Sequence, residues 1–168
     1  HGPRDPWLPP RLFFRMEMKA TANPQEGRSM SAPAKDDVSG LKSLGQSSTQ
    51  YPTQADAGLL ETFPNTFPGR DYVVTLESQE FTSLCPKTGQ PDFGVITIRY
   101  VPDTCCIESK SLKLYLFSFR NEPAFMETLT NRILEDLVAA CSPRRMTVTG
   151  DFAARGGITI SVEAEYEK

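Results

Sequence analysis

The sequence predicts an α+β domain: four antiparallel strands and two helices in the order ββααββ. Three observations carry this. Two β-rich runs flank a turn-rich stretch near the middle of the chain. Two segments with helical periodicity follow. Two further β-rich runs close the chain, joined across a glycine pair. The 168 residues, 39% hydrophobic and 23% charged, suit one small domain with some tail.

Residues 1–43 are rich in Pro, Ser, Ala, Gly and charge and show no period. A segment so poor in apolar residues does not offset its ordering entropy, so a disordered extension is predicted. The folded domain is placed at residues 44–168. Leu59, Leu60 and Phe63 are expected to pack on the core before Pro64, Pro68 and Gly69 break the chain. Tyr72–Leu76 reads as a strand by its β-branched content. Phe93–Val101 is a second, ended by Pro102. Ser109–Phe119 fits two patterns. Leu112, Leu114 and Leu116 alternate as in a strand, while Leu112, Tyr115, Leu116 and Phe119 share a helical stripe. Local sequence leaves both open, and the ββααββ order takes the segment as a helix. Asn121 is expected to cap the next helix with Pro123 in its first turn. Phe125, Leu129, Ile133, Leu137 and Cys141 would form its buried face. Arg145–Thr149 and Gly157–Val162 read as the last strands, turned at Arg155-Gly156-Gly157.

Composition narrows the function. No apolar run approaches the roughly 20 residues of a membrane-spanning helix. Leu12-Phe13-Phe14 is too short for a signal-peptide core, and a cytoplasmic protein is expected. A net charge of −3 gives no general attraction to nucleic acid or acidic membranes. The four cysteines form no Cys-x-x-Cys pair, and the single histidine is His1. No metal site is expected, and the thiols should be reduced.

The stretch Phe81-Thr82-Ser83-Leu84-Cys85-Pro86-Lys87-Thr88-Gly89-Gln90-Pro91-Asp92-Phe93 carries the chemistry. It sets a thiol and a carboxylic acid at the two ends of a short loop. A thiol can attack carbon, and an acid can move protons. Without a histidine in the domain, the Cys-His proteases and acyltransferases are excluded. A free cysteine is most often a buried small hydrophobe. The polar surroundings of Cys85 (Ser83, Pro86, Lys87) argue for function instead. Taken alone, Asp92 reads as a turn cap and Glu127 as a solvated helix residue. Lys110, Lys113 and Arg120 alone read as a solvated basic face. No Gly-x-Gly-x-x-Gly run is present, so a Rossmann cofactor domain is excluded.

Cys85-Pro86-Lys87-Thr88-Gly89-Gln90-Pro91-Asp92-Phe93, then Glu108–Tyr115 and Phe119-Arg120-Asn121, together resemble the NADPH-dependent 7-cyano-7-deazaguanine reductases. These are nitrile reductases of queuosine biosynthesis with the tunnelling fold (T-fold). The resemblance covers about residues 44–168 and points to the single-module type, with two helices on one face of a four-stranded sheet. It implies that Cys85 adds to the nitrile carbon of a free deazapurine base to form a thioimide, and that Asp92 donates the proton. It implies that Ile107, Glu108, Ser109, Met126 and Glu127 bind the base. A carboxylate at Glu127 would accept from the N–H groups of a guanine-like edge. Met126 departs from the aromatic residue or histidine often found there. Ser109, Lys110, Arg155 and Gly156 would meet NADPH, since cations and glycine amides suit phosphate.

A thin four-stranded unit leaves open sheet edges, which need covering. The resemblance implies that subunits join their sheets into a barrel, in pentameric rings stacked as a decamer with sites at the interfaces. Three other readings compete. A GTP cyclohydrolase of the same fold would need zinc ligands that the domain lacks. An amidinotransferase relative would act on the cyano base already within tRNA. A catalytically silent scaffold would not need Cys85, Asp92 and Glu127 together.

Overall fold

The computed structural model describes residues 51–168. The extension expected over residues 1–43, and the start of the domain up to residue 50, lie outside the described residues. The described chain runs β1 (Thr62–Pro64), β2 (Val74–Leu84), β3 (Pro91–Val101), β4 (Cys105–Ile107), α1 (Ser109–Ser118), α2 (Met126–Cys141), β5 (Arg145–Arg155) and β6 (Ile158–Glu167). The main sheet has four strands in the order β2-β3-β5-β6, every neighbouring pair antiparallel. The expected ββααββ order therefore describes the main sheet and the two helices. β1 and β4 form an additional two-stranded ribbon, in register Thr62↔Ile107 to Pro64↔Cys105.

Strand alternation puts every second side chain on one face. Ile96, Ile98 and Tyr100 of β3 and Met146, Val148 and Phe152 of β5 are buried on that face. α2 lies over β5 and β6, and α1 over β2. Leu129, Ile133, Leu137 and Cys141 supply the buried stripe of α2 at the expected spacing. Ser109–Phe119 resolves as the helix, with Leu112, Tyr115 and Leu116 buried. The Tyr115 hydroxyl donates to Asp136 Oδ2 at 2.7 Å, tying α1 to α2. The opposite sheet face is mostly polar, with Thr147, Thr149, Ser161, Glu163 and Glu165 among its residues.

Several expectations need correction. β2 extends to Leu84, far beyond Leu76. Its added stretch, Glu77-Ser78-Gln79-Glu80, is polar because this edge strand is open to solvent, and a register shift between Ser78 and Phe81 lets the pairing resume. Asn121 does not cap the long helix, and Pro123 is not in its first turn. Asn121 ends a 3-10 turn, and α2 begins at Met126 after Phe125. The intervening backbone pairs with β2 instead. The Leu84 amide donates to Glu122 O at 3.0 Å, and the Ala124 amide donates to Leu84 O at 3.2 Å. Pro123 favours this extended backbone by restricting the residue before it. Phe125 consequently stands outside the helix stripe, 65% exposed, and Phe63 is 50% exposed on the β1 ribbon.

Close packing between α2 and β5 depends on Gly150. A Cβ there would lie 2.7 Å from Thr130 Oγ1 and 2.8 Å from a Phe152 ring carbon. Gly150→Ala should lower the unfolding free energy by about 1–3 kcal/mol, the usual cost of overpacking. Urea denaturation of the variant beside wild type checks this.

Candidate active site

Cys85 begins the connection between β2 and β3. Its amide donates to Gln90 O and its carbonyl accepts from the Gly89 amide, each at 2.9 Å. Gly89 takes φ +69, a left-handed conformation that glycine adopts without a Cβ penalty. These bonds close a tight hairpin tip and hold the Cys85 backbone on both sides. The side chain is half-buried.

The sulfur sits among donors. The Thr88 hydroxyl, the Arg155 guanidinium and the backbone amides of Thr88 and Lys87 stabilise the thiolate against partial desolvation, bringing the Cys85 pKa down to about 6. Such a concave group of N–H donors beside a cation suits an anion. The contrast with Cys141 is instructive. That thiol is 1% exposed, and burial pushes it up to about 12.

Asp92 lies within β3 rather than in the loop, paired across the ladder with Ser83. It is 5% exposed and forms an ion pair with Arg155. The same guanidinium donates to Gln90 O at 3.3 Å, and its charge helps to lower the Cys85 pKa. Two buried side-chain atoms among the described residues lack a hydrogen-bond partner, Ser83 Oγ and Arg155 Nε. Both flank this hairpin. Buried polar groups are normally paired, so these two atoms mark the hairpin as an unusually polar spot within the described residues.

The backbone bridge at Leu84 brings the start of α2 beside the hairpin. Met126, which is buried, and Glu127, which is exposed, follow at once in its first turn. Cys85, Asp92, Arg155, Gly156, Met126 and Glu127 thus gather at one end of the sheet.

Ile107, Glu108, Ser109 and Lys110 gather at the other end. The Ile107 amide donates to the Tyr100 hydroxyl at 3.0 Å, and Tyr100 pairs with Val74 at the start of β2. Cys85 follows the last residue of that strand. At about 3.3 Å per residue, β2 separates the two groups by roughly 30 Å. Glu108 is engaged within its own chain. Its carboxylate accepts from the Lys110 and Ser111 amides at 2.8 and 2.7 Å, capping α1. Those amides pull its pKa below the usual carboxylate value. Ser109 and Lys110 are exposed.

Arg155 was expected beside NADPH, and within this chain its guanidinium pairs with Asp92 and bonds Gln90 O. Thr88 was not singled out from sequence. Its place three residues after the thiol, within a turn, was the available signal. Among the described residues no cluster of His, Cys, Asp and Glu has metal-holding geometry, and no helix is long and apolar enough to cross a membrane.

Comparison with known proteins adds the following. A family profile described as QueF-like protein matches residues 91–168. The chain is 63% identical over 109 residues to the NADPH-dependent 7-cyano-7-deazaguanine reductase of Syntrophus aciditrophicus, covering 65% of this chain and 78% of that protein. It is 59% identical over 110 residues to the enzyme of the same name from Chlorobaculum tepidum, covering 66% and 94%. With the Desulfovibrio desulfuricans enzyme of that name the identity is 52% over 140 residues, covering 83% and 84%. Among solved structures, the apo form of the archaeosine synthase QueF-Like matches with a TM-score of 0.53 at 26% identity, over 55% of this chain and 91% of that one.

The donors around Cys85 predict a reactive thiol. Iodoacetamide at pH 7 should label Cys85 ahead of the three other cysteines, read by peptide mass spectrometry. Its labelling rate should reach half its plateau near pH 6. A half-plateau near the ordinary thiol value of about 8.5 would contradict the geometry.

Proposed function

The chain belongs to the NADPH-dependent 7-cyano-7-deazaguanine reductases, and we propose that it works through a thioimide on Cys85. Its activity is the reduction of the nitrile of 7-cyano-7-deazaguanine to an aminomethyl group in queuosine biosynthesis. The observation that supports the mechanism is the closed hairpin that carries Cys85, with Arg155 bonded to Gln90 O of that hairpin and paired with the buried Asp92.

A nitrile is a poor hydride acceptor. The Cys85 thiolate attacks its carbon and forms a C–S bond. One C–N π bond breaks, and its electrons take at nitrogen a proton handed on by Asp92, whose carboxylate, ion-paired with Arg155 in the free chain, first takes that proton up as the site is loaded. Proton transfer from a positioned acid contributes about a hundredfold or more in rate. The C=N carbon of the resulting thioimide accepts hydride more readily. NADPH supplies one hydride there and a second to the imine left after sulfur departs, so two hydrides and two protons make the amine. The donors that stabilise the thiolate on attack also stabilise it as a leaving group.

Glu127, with Met126 beside it, reads the N–H edge of the base near Cys85. The cofactor fits features of this chain. Gly156 and Gly157 hold φ +56 and +83, and nothing lies within 4 Å of where a Cβ would stand. Backbone N–H groups can therefore approach a phosphate there. Exposed Ser109 and Lys110 offer a hydroxyl and a cation, and Arg155 lies beside the glycine turn.

The separation of roughly 30 Å between the Cys85 group and the Ile107–Lys110 group favours a site completed by a second copy of the chain. A complete site takes Cys85, Asp92 and Glu127 from one subunit and Ile107, Glu108, Ser109 and Lys110 from a neighbour. The outer edge of β2, apart from the bridge at Leu84, and the outer edge of β6 have no strand partner in the described chain, and edge pairing between subunits would cover them. Unpaired edges suit a barrel closed between subunits, and we take the assembly to be the tunnelling-fold barrel of pentameric rings stacked as a decamer, in the cytoplasm. The archaeosine synthase relationship raises an amidinotransferase reading. The far higher identity to the reductases favours reduction.

Cys85→Ala should abolish both a mass adduct with the free cyano base and NADPH oxidation. Asp92→Asn should lose turnover with the base still bound, measured by calorimetry. Normal NADPH oxidation by Cys85→Ala would reject the nucleophile.

Shared sites predict complementation. Cys85→Ala and Lys110→Ala subunits, each inactive alone, should regain partial activity when co-refolded. No recovery, with mixed oligomers confirmed by native mass spectrometry, would reject a site built from two subunits.

A further inference from the structure

Strand β2 ends with a hydroxyl where its pattern calls for carbon. Phe81 and Ser83 stand two residues apart, so both point to the covered face of the sheet. Both are buried there, Phe81 at 2% exposure and Ser83 at 0%. The Phe81 ring meets those of Phe119 and Phe152. Ser83 Oγ has no hydrogen-bond partner among the described residues. Burying an unpaired hydroxyl costs free energy that an alanine in the same place would not. A sequence breaks its own pattern in this way mainly where function requires it.

The neighbour of Ser83 across the ladder is Asp92. Directly opposed residues share a face, with Cβ atoms roughly 5 Å apart, and Asp92 is buried as well. A hydroxyl and a carboxyl at that spacing come within hydrogen-bond reach when each turns about its side-chain torsions. The backbone of Ser83 is held from two sides. The ladder fixes it to Asp92, and the next residue, Leu84, is bonded to Glu122 and Ala124. In the free chain Arg155 pairs with Asp92 Oδ1. The carboxylate serves the cation, and the hydroxyl is left alone.

We propose that Ser83 is a positioning residue for the proton donor: once Asp92 carries its proton, the Ser83 hydroxyl donates to the carbonyl oxygen of that carboxyl and leaves the acid O–H aimed at the nitrile nitrogen. This rests on Asp92 being the donor to a thioimide on Cys85. It goes further by naming the group that receives Asp92 when it is neutral. A guanidinium holds a carboxylate well, but a neutral carboxyl gives it no charge to pair with. That carboxyl offers one O–H donor and a carbonyl acceptor, and a serine hydroxyl matches the acceptor. One proton is taken from solvent on loading, rests on Asp92 and ends on the nitrogen, so the step balances. Other charged groups lie on the elements around the hairpin. Lys87 is within it, Arg155 ends β5, and Glu122 and Glu127 stand before and within the first turn of α2. Glu122 is drawn off by Arg132 at 3.0 Å.

The test measures adduct formation, base binding and stability in Ser83→Ala. The adduct is followed by mass with the free cyano base and no NADPH. At saturating base Ser83→Ala should form it about tenfold more slowly than wild type, the rate equivalent of one hydrogen bond. NADPH oxidation should slow with it, at an unchanged KM for the base. The melting temperature should stay level or rise, because the removed hydroxyl had no partner. In a Cys85→Ala background, adding Ser83→Ala should leave the base affinity unchanged by calorimetry. Ser83→Thr keeps the hydroxyl and should recover most of the rate. Should its extra methyl prevent folding, Ser83→Ala decides alone. A wild-type adduct rate in Ser83→Ala would overturn the proposal. So would a joint fall in melting temperature and base affinity, the mark of a merely structural role. A wild-type protein that turns over without any adduct would sink the thioimide reading. The turnover of Ser83→Ala would then still decide this proposal, because the nitrogen needs its proton either way.

Discussion

A sulfur that must carry charge at neutral pH needs donors held in place, and the β2–β3 hairpin holds them. Backbone bonds from Cys85 to Gly89 and Gln90 close the tip, and Gly89 supplies the left-handed turn that closure requires. Thr88, the amides of Lys87 and Thr88, and Arg155 then hold the Cys85 pKa below the ordinary thiol value. The cation comes from a strand two positions away in the sheet, since β3 lies between β2 and β5. Sheet register thus governs the chemistry. A slip of one residue in β5 would turn Arg155 to the other face. The buried ladder of Ile96, Ile98, Met146 and Val148 opposes that slip, because every apolar residue on the covered face would be exposed with it.

The second constraint is length. One strand of eleven residues separates the thiol from the Glu108–Lys110 turn. Glu108 spends both carboxylate oxygens on its own helix, which fixes the geometry of Ser109 and Lys110 at the surface. A turn presented outward at one end and a hairpin with unpartnered polar atoms at the other are the two features on which the proposal of a site shared by two copies rests.

The fold was legible where periodicity was strong. The α2 stripe and the β3 and β5 alternations were plain, because each buries one face against a single layer. The start of α2 was misjudged because Asn121 and Pro123 carry ordinary capping chemistry, and the competing partner, Leu84, lies far away in sequence. The polar half of β2 escaped notice because an edge strand open to solvent need not look like one. The β1–β4 ribbon is three residues long on each side, below what a pattern can carry. Cys85 and Asp92 stood out through residue type and spacing. The pairing of Arg155 with Asp92 did not, because the reach of Arg155 depends on strand order. The separation of the two groups required the sheet itself, since Glu108 and Cys85 look close along the chain.

The central claim is a covalent bond from Cys85 to the nitrile carbon, made in a site shared by two subunits. A crystal structure of the assembled protein soaked with the cyano base, without NADPH, tests it most directly. The account predicts continuous density from Cys85 Sγ to the base, with Ser109 and Lys110 of a neighbouring subunit closing over it. A base bound without that bond, or enclosed by one chain alone, would contradict it.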